Sequence, residues 1–175
     1  MREVNAWAAD SARFEGAVGG LSSTALPHFA CSFLKGLGYN CVLTSVRHGQ
    51  NDGGLDGYAE CESTGRGYEV HCSTTGGEGF KAKIIHDAAG TVYRILGGHE
   101  SAGAFLFCTG NSGRAGINPL LIRREVLAPS LHEKFPEADI SGIELHVYTS
   151  TRIAECMARE PVTFREALTV LGLTP

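Results

Sequence analysis

Residues 38–75 read GYNCVLTSVRHGQNDGGLDGYAECESTGRGYEVHCSTT, and this stretch decides the fold. Residues 40–47 (NCVLTSVR) are few and rich in β-branched side chains, which predicts a strand. The cluster HGQNDGGLDG is a turn region of Gly, Asn and Asp. Residues 55–61 and 67–73 then predict a hairpin, with STGR as its turn and TTGGEG breaking the chain beyond it. Asp56 opens the first hairpin strand, and Glu69 lies inside the second. In an antiparallel pair, a residue near the start of one strand faces a residue in the middle or end of the other. Asp56 and Glu69 are therefore expected close together, with the Val70 carbonyl beside them. Such an all-oxygen pocket suits a hard divalent cation, Mg²⁺ or Mn²⁺. Glu69 and His71 point to the same side of their strand, so one sheet face is expected to carry Asp56, Glu69 and His71.

Outward from the hairpin, Phe29, Ala30, Phe33, Leu34 and Leu37 recur at helical spacing, which predicts a helix over 24–37 capped by Ser23 or Thr24. A second amphipathic helix is predicted over 80–96 from Phe80, Ile84, Ile85, Ala88, Val92, Ile95 and Leu96. The apolar runs 104–109 (AFLFCT) and 143–149 (IELHVYT) predict buried strands. Residues 119–135 predict a helix that Pro129 must kink or split. Helices over 151–159 and 163–171 close the chain, the last opened by a capping box, Thr163-x-x-Glu166. The first ~20 residues are expected to form a short outer helix or to stay partly mobile. The order α-β-β-β-α-β-α-β-α predicts an α/β fold: a mixed central sheet flanked by helices.

These parts resemble the PD-(D/E)xK nuclease superfamily, most closely its Mrr-like restriction-endonuclease branch. The resemblance rests on Leu37-Gly38-Tyr39, on Asp52-Gly53-Gly54-Leu55-Asp56-Gly57 and on Glu69-Val70-His71, and covers about residues 24–110. It implies a restriction-endonuclease-like αβββαβ core over about 24–150 within one nuclease-like domain, 1–175, with C-terminal helices at 151–171. It also implies a metal-dependent nuclease hydrolysing phosphodiester bonds, chiefly of DNA, in restriction or anti-phage defence. Asp56, Glu69 and the Val70 carbonyl become the ligands of Mg²⁺ or Mn²⁺. His71 takes the place of the family's lysine. That departure puts the chemistry in question, because imidazole is not a permanent cation near neutral pH. Lys81 and Lys83 at the start of the next helix are candidates to supply the missing charge and to contact phosphate. The alternative is a catalytically silent nuclease-fold domain that binds nucleic acid, a nucleotide signal or a protein partner.

Length and composition agree with one globular domain: 175 residues, 43% hydrophobic, 19% charged, with 23 glycines. Net charge is −4, yet residues 64–124 hold seven Lys/Arg against four acids, a local positive balance that an anionic ligand would favour. No apolar run is long enough to span a membrane, and the N-terminus lacks a secretory pattern, so a cytoplasmic protein is expected. The six cysteines (31, 41, 61, 72, 108 and 156) form no zinc motif and are read as reduced. Asp52 reads as a turn residue, His48 as a loop residue, and Glu60 and Glu62 as solvent-facing. His86 and Asp87 read as helix surface, and Arg94 as either a solvated charge or a phosphate contact. A homo-oligomer or a partner subunit is expected to help select a target, since so short a chain has little room for a separate reading domain.

Overall fold

The computed structural model describes residues 2–44, 55–110 and 118–173, except for the side chains of 2–9. The hairpin forms: β2 (Gly57–Cys61) runs antiparallel to β3 (Gly67–Ser73), with Tyr58 opposite Glu69 and Ala59 opposite Tyr68. The turn closes through Cys61 N–H to the Arg66 carbonyl and Gly65 N–H to the Cys61 carbonyl. Gly65 adopts φ +68°, a left-handed conformation that a side chain would disfavour. β1 (Tyr39–Leu43) flanks β2, antiparallel to it. Residues 45–47 of the strand expected at 40–47 fall, with His48 and Asp52, in the span 45–54, which lies outside the described residues.

From β3 the chain crosses through α3 (Gly79–Leu96) into β4 (Gly103–Cys108), parallel to β3. It returns in β5 (Glu144–Thr149), parallel to β4, giving one mixed five-stranded sheet in the order β1-β2-β3-β4-β5. All six β4 residues are buried, as the unbroken apolar run predicted. Helices cover both faces. On one face α1 (Arg2–Gly19), α2 (Leu26–Gly36), α6 (Ser150–Arg159) and α7 (Arg165–Val170) close a core of Phe29, Phe33, Val70, Phe105, Phe107 and Met157. On the other, α3 joins the helical segment 119–134 over Ala104, Leu106, Cys108, Leu145 and Val147. The α/β class and mixed, helix-flanked sheet stand as expected.

Several local expectations change. The first residues form the 18-residue helix α1, held against α6 by buried Phe14 and Val18. α2 has no Ser23 or Thr24 cap; the Ser22 hydroxyl accepts the Ala25 N–H instead. The Thr163-x-x-Glu166 box is not made: α7 starts later, and Glu166 reaches Lys35 on α2 at 2.7 Å. Cys31 on α2 and Cys41 on β1 are joined in a disulfide, which corrects the reading of all six cysteines as reduced. Their separation of ten residues gave no motif, but the α2–β1 packing brings the two Cα atoms to 5.2 Å, within bridging distance.

The segment after Asn118 is split, as Pro129 required. α4 (Pro119–Leu121) runs into a π-wound turn (Ile122–Leu127), then α5 (Ala128–Lys134). Pro129 has no N–H to return to Glu125, and its ring would meet that carbonyl in a regular α-helix. The chain widens instead, and the Ala128 N–H donates to the Arg123 carbonyl five residues back. Among the described residues no helix is long and apolar enough to cross a membrane.

Candidate functional site

The chemistry lies between α3 and the polar stripe of β3. Tyr68, Val70 and Cys72 belong to the apolar core on the α2 side. Strand alternation therefore turns Glu69, His71 and Ser73 toward α3. From α3, Phe80, Ile84, Asp87, Thr91 and Arg94 come round at intervals of four and three, one helical stripe facing the sheet. The first two are apolar and pack into the core; the last three are polar and meet the β3 stripe.

Glu69 is fully buried and saturated. Arg94 grips it with two parallel bonds, Nε to Oε1 and an Nη to Oε2, both 2.7 Å. The Thr91 hydroxyl donates to Oε2 at 2.5 Å, and His71 Nε2 lies 3.2 Å from the same oxygen. Burial alone would push this carboxyl up. The Arg94, His71 and Thr91 bonds outweigh that effect and hold it well below the usual carboxylate range.

The tautomer of His71 follows from its partners. A carboxylate only accepts, and the Thr91 hydrogen is already directed at Glu69. Thr91 Oγ1, 2.9 Å from His71 Nε2, is therefore an acceptor as well, and Nε2 must carry a proton. The ring is 1% exposed. Nε2 thus works as a donor in this cluster and has no lone pair with which to take a proton from water.

Asp56 stands one residue before β2, two residues along the strand from the Tyr58 that faces Glu69. Its N–H donates to the Val70 carbonyl at 2.9 Å, and its Oδ2 accepts the Cys72 N–H at 2.6 Å. Asp56 therefore extends the β2–β3 pairing rather than meeting Glu69, and the Val70 carbonyl takes part in that pairing. Burial pushes the Asp56 carboxyl above its ordinary range, against the pull of the Cys72 N–H and the positive charges of His71 and Lys83. A carboxyl raised in the fold holds its proton more tightly there than in the unfolded chain. Ionising it as pH climbs past the ordinary value near 3.8 removes stability. Asp56→Asn keeps an acceptor for Cys72, so it is expected to match or exceed wild-type stability at pH 7, by under about 1 kcal/mol. The gain should vanish near pH 4, and urea denaturation at the two pH values checks it.

Lys83 Nζ bonds Asp87 Oδ1 at 2.5 Å, and both charges act on Asp56. Asp87 is 2% exposed, which corrects its reading as helix surface; His86 is exposed, as expected. Lys81 is exposed and Lys83 one-third exposed, with Lys83 facing the Asp56 end of the cluster. Glu60 and Glu62 face solvent, as read from the sequence. Arg94, read as a solvated charge or phosphate contact, is instead the main partner of Glu69, and Thr91 was missed. The signal for both was the four–three spacing from Phe80 and Ile84: it places polar groups at core-facing positions, where burial demands partners.

Asp56 and Lys83, with the exposed Lys81, stand where the C-terminal end of β3 meets the start of α3. Among the described residues no group of three or more His, Cys, Asp or Glu side chains converges on one point. A cation at Glu69 would have to displace the Arg94 guanidinium from both carboxylate oxygens. In this arrangement Arg94 occupies both Glu69 oxygens, and Asp56 Oδ2 is engaged by the Cys72 N–H. No protein-family model, curated protein or solved structure matches the chain.

Proposed function

We propose that the chain is a nuclease-like αβββαβ domain whose acidic station has become an ion-pair lock, and that it binds nucleic acid without cutting it. The observation that carries this reading is the state of Glu69: zero exposure, two bonds from Arg94, and further bonds from Thr91 and His71. The same residues support a scaffold role. A fully paired buried carboxylate ties β3 to α3 and fixes their register, whereas a metal ligand needs open lone pairs. His71, a donor through Nε2, stands in the lysine's place without its permanent charge. DNA is the partner this reading favours, through Lys81 and Lys83 at the open end of the cluster, with a homo-oligomer or partner subunit selecting the target.

The test is a plasmid cleavage assay with Mg²⁺ and Mn²⁺, beside fluorescence anisotropy on a labelled duplex. Binding with no nicking is expected. Nicking that disappears in Asp56→Ala would overturn the reading and restore the metal-dependent nuclease. Lys83 should not be removed in this assay, because its loss would leave buried Asp87 unpaired. Lys81→Ala is the cleaner probe. It should weaken binding at 100 mM salt by about two- to fivefold and lower the salt slope by about one phosphate contact. Unchanged affinity and slope would leave Lys81 as an ordinary solvated charge.

A further inference from the structure

We propose that the groove between the π-wound helical segment and the loop leading into β5 binds a small amphipathic carboxylate: an apolar chain or ring system ending in one anionic group. The groove shares no residue with the Glu69 cluster, so the proposal does not depend on the nucleic-acid reading. Its volume is about 800 Å³, within the range of small-molecule sites. Its floor is apolar: Leu127, Leu131, Ile143 and Leu145 close it from beneath. At its mouth Leu120 is 69% exposed, an apolar side chain left in water beside an apolar cavity.

Two permanent cations, Arg123 and Arg124, stand among the polar groups of the wall. Arg123, Arg124 and His132 line the groove, and none of them is ion-paired among the described residues. Asp139 is the acid in the wall, and it is turned back on its own loop, accepting the Ser141 N–H at 3.0 Å and the Ser141 hydroxyl at 2.7 Å. Two permanent cations against one engaged acid favour an anion. A guanidinium fork matches the two oxygens of a carboxylate. Leu120, Arg123, Arg124, Leu127, Ala128 and Leu131 follow the three–four spacing of one helical face, so Arg123, Arg124 and Leu127 all line the same cavity. An apolar floor with cations in the wall is the pattern of a ligand with one apolar body and one charged end. A protein partner would call for a broader apolar face.

Decanoate and decanol are suitable probes, the same chain with and without the charge. Isothermal titration with the 175-residue chain is expected to show saturable decanoate binding, and thermal melts a raised melting temperature. Decanol should bind at least tenfold more weakly. The Arg123→Ala/Arg124→Ala variant alters only exposed side chains and should fold normally. It should lose at least tenfold in decanoate affinity while decanol binding is unchanged. Ala128→Phe, which pushes a ring into the groove, should weaken both ligands. The proposal is overturned by an absence of saturable decanoate binding, by equal affinity for acid and alcohol, or by wild-type affinity in the double arginine variant. Sedimentation supplies the last arm: a dimer that Ala128→Phe dissociates would show that a second copy covers the groove, and would also overturn the proposal.

Discussion

Arg94→Ala is expected to destabilise the chain by about 3 kcal/mol at pH 7, measured by urea denaturation. Removing the guanidinium leaves Glu69 fully buried without its permanent counter-charge, with the Thr91 hydroxyl and His71 Nε2 at Oε2 and His99 Nε2 4.0 Å from Oε1. Breaking a buried pair typically costs about 3–5 kcal/mol, and the low end applies because Arg94 is itself one-quarter exposed. The pH dependence carries the same signature. In the wild type the Glu69 carboxyl is held below its ordinary value near 4.5. Its contribution is present above that value and is lost as pH falls through the lower folded pKa. Without Arg94, burial dominates and the folded pKa rises above the ordinary value, so the sign reverses. The gap between wild type and variant should therefore begin to narrow as pH falls through the variant's raised folded pKa, above about 4.5, and keep narrowing below it. Glu69→Gln added to Arg94→Ala should recover part of the loss, because an amide needs no counter-charge. A single-variant loss under about 1 kcal/mol would mean the pair behaves like an exposed ion pair, and the lock would lose its basis.

The sequence carried the layout well where one signal dominated. The hairpin came from Gly-rich punctuation on both sides of two short strands, but its register did not: Tyr58, not Asp56, stands opposite Glu69. β4 was legible because a strand buried on both faces has no polar position to obscure it. Helices α2, α3 and α6 were placed to within two residues.

The site was harder to read, for a physical reason. Asp56 and Glu69 could be located along their strands, but a carboxylate's state depends on what approaches it from another element. Arg94 is 25 residues further on in sequence, and only the packing of α3 across β3 brings it to Glu69. Asp87 looked like surface because charge in a helix usually is; its burial depends on Lys83 one turn earlier. The Cys31–Cys41 bridge likewise depends on how α2 turns into β1, which spacing does not encode.

Gly103→Ala is expected to destabilise the chain by more than about 4 kcal/mol, a large share of the ~5–15 kcal/mol that holds a domain of ordinary stability. Gly103 opens β4 with φ +158°, directly across from Glu144 in the parallel pairing with β5. A Cβ there would lie 1.8 Å from the Glu144 carbonyl oxygen and 2.6 Å from its carbonyl carbon. Both obstacles are backbone, so no rotamer change relieves them. β4 is buried along its whole length and paired on both sides, which leaves it no direction in which to move. Pushing it away from β5 drives it toward β3, where Ala104 pairs with Glu69, so the strain reaches the ion-pair cluster as well. Gly16→Ala is the matched control. Gly16 lies inside α1, and an added Cβ meets nothing within 4 Å. Alanine there should stabilise by about 0.5–1 kcal/mol through helix propensity. Thermal melts of the two variants should therefore move in opposite directions. If Gly103→Ala melts within a few degrees of wild type, the close approach of β4 to β5 described here is wrong.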